Sequence, residues 1–208
     1  MLKNKSVATA AVLFFCVGAV FLARTLKPNP EQILKQRIAE RSLGSEKAPL
    51  WVTEYFDYQC PPCAAARMTL ESALKEHPGQ IYLQARFYPL PSHKNAMKAA
   101  LYAECASRQK GKFWKFHEEL FEHQSDWAMD DYAPIKFASY AGNVGLNVSQ
   151  MDACSHDPET EKIVLEEKKK GKELGVKITP SFFINGKIVV GINSLKNEID
   201  AFFEEKKA

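Results

Sequence analysis

The sequence predicts an α/β fold in which a block of helices interrupts the sheet. A strand, a helix and a second strand are indicated over residues 50–90, and a purely helical pattern follows over residues 92–157. A helix, a hairpin and a last helix come after it. This order is typical of one sheet whose two halves are separated by inserted helices. With 208 residues and 46% hydrophobic content, the chain is long enough for one domain with a full core.

The first residues predict a targeting segment. Lys3 and Lys5 precede an uncharged, largely apolar stretch over residues 6–23, and Arg24 ends it. About 17 apolar or small residues lie near the lower limit for a helix that crosses a bilayer. We therefore favour an uncleaved membrane anchor over residues 1–24, with a cleaved signal peptide as the alternative. Either one indicates that the rest of the chain is exported.

Residues 25–47 predict a linker helix. The helix should begin at Pro30, whose ring suits the first helical position, and end at about Ser42. It could pack on the domain, act as a spacer or pair with another copy of the chain. The main domain is then expected over residues 48–208.

Each element of the main domain has its own signal. Apolar runs indicate strands over residues 50–58 and 80–90, and the helix between them stops at His77-Pro78-Gly79. The helical block should begin at Ser92, and its dense aromatic face is expected to lie in the core.

The end of the chain predicts a hairpin between two helices. A charged helix opens at Asp157-Pro158 and stops at Gly175. Asn185-Gly186 is typical of a type I′ turn, because both residues tolerate a positive φ. A final amphipathic helix follows, with Leu195 and Ile199 on its apolar side.

The charge pattern argues against a nucleic-acid partner. The net charge is only +3, and the lysine run over residues 168–170 is flanked by Glu166, Glu167 and Glu173. Such a run is typical of a solvated helix face, and no aromatic stacking platform accompanies it.

The five cysteines divide into three groups. Cys16 lies in the apolar N-terminal segment, Cys60 and Cys63 form a Cys-x-x-Cys motif, and Cys105 and Cys154 remain as a separated pair. In an exported protein such a pair is usually bridged. Two unpaired, buried thiols are the alternative.

The sequence Cys60-Pro61-Pro62-Cys63 predicts a redox site. Its two thiols occupy one turn at the start of a helix, so they can close and reopen a disulfide. The helix N-terminus favours the thiolate of Cys60, which we expect to be the more exposed sulfur and to form mixed disulfides that Cys63 resolves. Neither proline offers an N–H to that thiolate. The protein should therefore be a weaker oxidant than it would be with Pro-His in the same place.

Three stretches carry a resemblance to a known family. Residues 54–63, 111–117 and 175–186 resemble those of bacterial DsbA-like thiol–disulfide oxidoreductases. The resemblance runs from about residue 49 to the end of the chain. It implies a thioredoxin-like fold with an inserted helical domain.

The resemblance also implies roles for particular residues. Pro180 would be a cis-proline facing the dithiol, and Cys105 would be bridged to Cys154. Thr179 matches the isomerase-type relatives, whereas DsbA itself has an apolar residue there. Glu54, on the apolar face of the first strand, would be a buried carboxylate near the dithiol that relays a proton to the leaving sulfur. A position exposed at the sheet edge is the alternative for Glu54.

These observations predict an exported thiol–disulfide oxidoreductase, with an oxidase favoured over an isomerase or reductase. The resemblance implies that its substrates are unfolded or partly folded exported polypeptides. The apolar N-terminal segment predicts a periplasmic domain anchored to the inner membrane by residues 6–23, or secreted after signal cleavage. For an oxidase the resemblance also implies a quinone-linked redox partner in the membrane. No cofactor is expected.

Two alternatives belong to other classes of function. The Cys-x-x-Cys motif could bind zinc or copper with His93 or His117, although neither histidine lies in a ligand motif. The other alternative is a binding module without catalytic activity, in which the two thiols of Cys60 and Cys63 would not exchange disulfides.

Overall fold

The computed structural model describes residues 30–206. The predicted targeting segment over residues 1–24, with its Cys16, lies outside the described residues. Among residues 30–206, no helix combines the length and the apolar content that crossing a bilayer requires. The chain divides into two compact units with a boundary after Gln36, and the unit from Arg37 onward contains the sheet and the redox motif.

The order of elements agrees with the sequence prediction. Within residues 30–206 the helices are α1 (Pro30–Glu40), α2 (Pro61–Glu76), α3 (Ala96–Ser107), α4 (Phe113–Glu122), α5 (Gln124–Trp127), α6 (Ala133–Asn143), α7 (Val148–Ser155), α8 (Pro158–Glu173) and α9 (Ile192–Glu205). The strands are β1 (Ser42–Leu43), β2 (Leu50–Phe56), β3 (Ile81–Phe87), β4 (Ser181–Ile184) and β5 (Lys187–Val190). Helices α3–α7 form the inserted block between β3 and the second half of the sheet.

In the described part of the chain the strands form one sheet in the order β1-β3-β2-β4-β5. β2 and β3 are parallel, joined by α2, and the other neighbouring strands are antiparallel. In the central strand β2, Glu54 pairs with Ala85 on one side and with Phe182 on the other. The Cys-x-x-Cys sequence follows directly after this central strand.

Two large apolar clusters and a smaller one around Tyr55, Tyr88 and Val176 are found among the described residues. One large cluster packs α2 and α9 on a face of the sheet, and its members include Leu50, Val52, Leu70, Phe182, Leu195 and Phe203. The other packs the inserted helices against the carboxyl ends of β2 and β3, and it includes Phe56, Phe87, Phe116, Trp127 and Phe137. Burial of each phenylalanine side chain stabilises the folded state by roughly 2 kcal/mol relative to leaving it exposed. The second cluster also contains Cys60 and Cys63, so the inserted helices cover the redox turn.

The structure differs from the sequence prediction at the start of the domain. The first helix ends at Glu40 rather than at Ser42, and Ser42–Leu43 form β1 beside β3, within the stretch assigned to the linker. The cause is Arg41, whose guanidinium is fully buried and lies 4.2 Å from the centre of the Phe87 ring.

Carboxylates from two later helices compensate for this burial of Arg41. Its guanidinium is paired with Glu167 of α8, and it lies 3.6 Å from Glu104 of α3. Glu167 also accepts a hydrogen bond from the backbone N–H of Phe87 at 2.9 Å. A buried charge is tolerated where it is paired and hydrogen-bonded in this way.

Turn chemistry accounts for the other differences in element bounds. β2 ends at Phe56, two residues early, because the Asp57 carboxylate accepts the N–H of Gln59 at 2.7 Å and turns the chain. α3 begins at Ala96 rather than at Ser92. The predicted hairpin turn is confirmed, since Asn185 and Gly186 have φ angles of 47° and 87°.

Candidate active site at the Cys60-Pro61-Pro62-Cys63 turn

The two cysteines of the motif lie at the start of α2. Cys60 is the N-cap residue, with φ −81° and ψ 114°, and Pro61 and Pro62 form the first turn. The backbone N–H of Cys63 donates to the Cys60 carbonyl at 3.0 Å. Both residues are free thiols, and Cys60 is 5% exposed whereas Cys63 is 0% exposed. Cys60 is therefore the sulfur that a second molecule can reach.

The surroundings separate the pKa values of the two thiols. The pKa of Cys60 is lowered to about 6, mainly by a hydrogen bond from the Cys63 side chain, with Thr179 acting in the same direction and burial opposing both. Burial is the main cause that raises the pKa of Cys63 well above its usual value, and the hydrogen bond with Cys60 adds to it. At neutral pH the site therefore holds one ionised and one protonated sulfur, as a thiol–disulfide exchange site requires.

The loop before β4 faces Cys60. The Thr179–Pro180 peptide bond is cis, and both residues are buried. The Cys60 Sγ atom lies 3.4 Å from the Thr179 carbonyl oxygen, which accepts a hydrogen bond from the sulfur when the thiol is protonated. The fold thus brings together a thiol and a proline loop that are 119 residues apart in the chain.

Glu54 lies inside the sheet rather than at its edge. It is 3% exposed, and its Oε1 atom has no hydrogen-bond partner among the described residues. Burial raises the pKa of Glu54 to about 8, and the negative charge of Cys60 adds to the effect. Near neutral pH this side chain is mostly a protonated acid, which has a proton to give.

A small cavity of about 60 Å³ connects Glu54 with α2 and α4. Trp114 and Arg67 also line it, and Trp114 Nε1 and Arg67 Nε have no hydrogen-bond partner among the described residues. The lining is largely apolar, but Glu54, Trp114 and Arg67 offer polar atoms to a water molecule, which needs two to four polar partners. Glu54 is therefore within reach of a water molecule in this cavity.

Both histidines considered as metal ligands have other partners. His117 Nδ1 lies 3.0 Å from the Tyr58 hydroxyl, and burial lowers the pKa of His117 to about 3, so the imidazole is neutral. His93 Nδ1 lies 2.8 Å from Asp57 Oδ2. Within residues 30–206 there is no cluster of three or more His, Cys, Asp or Glu side chains that could hold a metal ion.

Sequence reasoning missed Asp57, which organises the turn before Cys60. Its buried carboxylate accepts hydrogen bonds from the N–H groups of Gln59 and Leu90, both at 2.7 Å, and it contacts His93. The signal available in the sequence was an acidic residue at the end of an apolar strand, three positions before Cys60.

Cys105 and Cys154 form a disulfide between α3 and α7. Their sulfur atoms are 2.03 Å apart, and 49 positions separate the two residues in the sequence. The bridge lies within the inserted block of helices.

Comparison with known proteins agrees with this architecture. The family model described as Thioredoxin matches residues 36–202. A thioredoxin-like oxidoreductase from Silicibacter pomeroyi has 28% sequence identity and a TM-score of 0.65, over 80% of this chain and 92% of that protein. Alpha-DsbA1 from Wolbachia pipientis has 21% identity and a TM-score of 0.68, over 79% of this chain and 91% of that one.

Similar sequences include those of two curated relatives. The Na(+)/H(+) antiporter NhaA 1 of Mycolicibacterium vanbaalenii is 30% identical over 190 residues, which cover 86% of this chain but only 30% of the antiporter. The probable disulfide bond formation protein D of Bacillus cereus is 25% identical over 169 residues, 77% of each protein. The chain belongs to the thioredoxin family, and its fold, with α3–α7 inserted into the sheet, is that of DsbA-like proteins.

Proposed function

We propose that this protein is an exported thiol–disulfide oxidoreductase that oxidises folding polypeptides through Cys60 and Cys63. The observation that carries the proposal is that the pKa of one thiol, Cys60, is lowered while the pKa of its neighbour Cys63 is raised. Cys60 has a pKa lowered to about 6 and lies at a helix N-terminus against the Thr179 carbonyl, while Cys63 is fully buried behind it. The similarity to the disulfide bond formation protein of Bacillus cereus supports the same chemistry.

The proposed reaction is a two-electron exchange. A substrate thiolate attacks the Cys60 sulfur of the oxidised enzyme, the bond between Cys60 and Cys63 breaks, and Cys63 leaves as a thiolate that takes a proton. A second substrate thiolate then attacks the substrate sulfur of the mixed disulfide, and Cys60 leaves as a thiolate. The substrate is oxidised to a disulfide and the enzyme is reduced to the dithiol.

Glu54 would supply the proton in the first step. Its pKa is raised to about 8, and the charge of Glu54 is one of the causes that raise the pKa of Cys63, so the two groups interact. The cavity that Trp114 lines would then return the proton from solvent. The low pKa of Cys60 makes it the better leaving group in the second step.

A trapping experiment tests the function. With Cys63→Ala the mixed disulfide cannot be resolved from within the enzyme, so we expect polypeptides linked covalently to Cys60 in cells. They should be visible as reducible high-mass species on non-reducing gels. Cys60→Ala is the matched control and should capture none. If Cys63→Ala captures no more than this control, the proposal is wrong.

The direction of exchange depends on how well the Cys60 thiolate is stabilised. Pro61 and Pro62 contribute no N–H to it. Replacing Pro62 by His should restore one donor and raise the reduction potential by about 30–60 mV, since a hydrogen bond to a charged group contributes about 1.5–3 kcal/mol. A glutathione titration measures this, and Pro62→Ala separates the effect of the N–H from that of the imidazole. An unchanged or lower potential in both variants would contradict the role given to the prolines.

An isomerase or reductase is the second candidate, and Thr179 before the cis peptide bond is the observation that favours it. A refolding assay separates the two functions. An oxidase acts on a reduced substrate, whereas an isomerase recovers a scrambled one.

We further propose that residues 6–23 keep the protein at the inner membrane with its domain in the periplasm, where a membrane protein reoxidises the dithiol. N-terminal sequencing of the native protein tests this part. A start near Val20 would show that the segment is removed.

A further inference from the structure

A side chain from the inserted helices holds the redox turn. The Nε2 group of Gln124, at the start of α5, donates one hydrogen bond to Tyr58 O at 2.7 Å and another to Cys60 O at 3.1 Å. A single amide group therefore bridges the carbonyls on both sides of Gln59. One of these carbonyls belongs to the residue that we propose as the nucleophile.

The prolines explain why the carbonyl of Tyr58 takes its donor from outside the turn, since Pro61 and Pro62 stand three and four positions after it and have no N–H. Cys60 O also accepts from the N–H groups of Cys63 at 3.0 Å and Ala64 at 3.4 Å, as expected at a helix start. Positions 61 and 62, which follow Cys60 directly, have no N–H to donate. Tyr58 O receives its donor from Gln124, 66 residues further along the chain.

Gln124 is itself held in position. The fully buried Asn95 donates its side-chain N–H groups to three carbonyls at the end of α5, namely Trp127 O, Ala128 O and Asp130 O, at 3.0, 3.2 and 2.7 Å. The backbone N–H of Asn95 donates to Gln59 Oε1 at 2.7 Å. These bonds link Gln59 to Asn95 and Asn95 to the end of α5. Gln124, at the start of α5, bonds in turn to the carbonyl of Cys60, the residue after Gln59. The bonds of Asn95 to α5 and to Gln59 therefore fix the position of the Gln124 amide relative to Cys60 and Cys63.

We propose that Gln124 is a positioning residue of the dithiol, through which the inserted helices set the redox equilibrium of Cys60. The proposal rests on the proposed function. The carbonyl oxygen of Cys60 is the negative end of a dipole in the same residue as the sulfur that ionises, and the carbonyl of Tyr58 lies two residues before it. The amide hydrogens of Gln124 offset this negative potential, so they stabilise the thiolate and, with it, the reduced form.

The variant Gln124→Met tests the proposal, because it removes both donors and keeps the length of the side chain. We expect the equilibrium with glutathione to shift about fivefold toward the oxidised protein, the factor that corresponds to one net hydrogen bond. The midpoint of the thiolate absorbance of Cys60 should rise by about 0.7 pH unit, which is the same free energy.

Gln109→Met is the matched control. Gln109 lies after α3 in the same helical block and also bonds to backbone groups, accepting from Asn147 N at 2.9 Å and donating to Asn147 O at 3.4 Å. Both variants should lower the unfolding free energy in urea by a similar amount. Only Gln124→Met should change the reduction potential and the thiolate titration.

The outcomes separate the two proposals. A wild-type protein that does not equilibrate with glutathione contradicts the proposed function. If the wild type equilibrates and Gln124→Met matches it in potential and in titration midpoint, Gln124 has no positioning role and the proposed function stands.

Discussion

Glu54→Gln is expected to make the reduced protein more stable at neutral pH. The pKa of Glu54 is about 8 in the folded protein, against 4.5 for an unperturbed glutamate. Between these values the folded state holds a proton that the unfolded state releases, so the unfolding free energy falls as the pH rises. Glutamine removes this titration. We expect a gain of about 3 kcal/mol at pH 7, larger at pH 8 and absent below pH 4.5.

Urea unfolding of the reduced protein at pH 4, 7 and 8 measures this effect. The control is Glu118→Gln, since Glu118 lines the same cavity but is exposed. Replacing an exposed carboxylate by an amide should change the unfolding free energy by less than about 0.5 kcal/mol. A Glu54→Gln protein that is no more stable than the wild type at pH 7 and pH 8 would show that Glu54 is ionised in the folded state at little cost.

The same variant gives a second readout, on the exchange reaction. If Glu54 donates the proton to Cys63, Glu54→Gln should slow exchange below pH 8, where the wild-type carboxyl is protonated, and flatten the pH dependence near that value. An unchanged pH profile would remove Glu54 from the mechanism and leave the stability prediction intact.

Removal of the disulfide between Cys105 and Cys154 is expected to cost about 4 kcal/mol of unfolding free energy in the chain-entropy account. The bridge closes a loop over a sequence separation of 49 in the unfolded chain and joins α3 to α7. Replacing both cysteines by serine tests this in urea unfolding, because no free thiol is then left at either position. Wild-type protein in which this disulfide is reduced should show a similar loss.

This disulfide prediction concerns stability and not exchange. At a temperature where the double variant is folded, its Cys60 and Cys63 should react with glutathione as in the wild type. A stability loss below about 1 kcal/mol would mean that the unfolded chain is already restricted, or that strain in the folded state offsets the gain.

The sequence was most informative where the signal is local. The Cys-x-x-Cys motif at the junction of a strand and a helix needs only neighbouring residues to be recognised, and the structure has that junction at Cys60. The Asn185-Gly186 turn is local in the same sense, because two adjacent residues take positive φ values. The aromatic face of α4 follows from helical periodicity alone, and Phe113 and Phe116 are buried.

Element ends were less predictable, because distant residues decide them. The strand Ser42–Leu43 forms where the chain beyond a buried Arg41 runs beside β3, and the partners of Arg41 are Glu104 and Glu167, 63 and 126 positions away. No pattern near position 41 identifies carboxylates on two later helices.

By itself the sequence determined most of the elements, their order and the two cysteines proposed to exchange disulfides, since these depend on spacing along the chain. Only the tertiary structure decided the protonation of Glu54, the contact of Cys60 with Thr179 and the bonds that Gln124 donates to the redox turn. The physical reason is that pKa values and hydrogen bonds depend on burial and on partners within a few ångströms, and here those partners come from segments far apart in the chain.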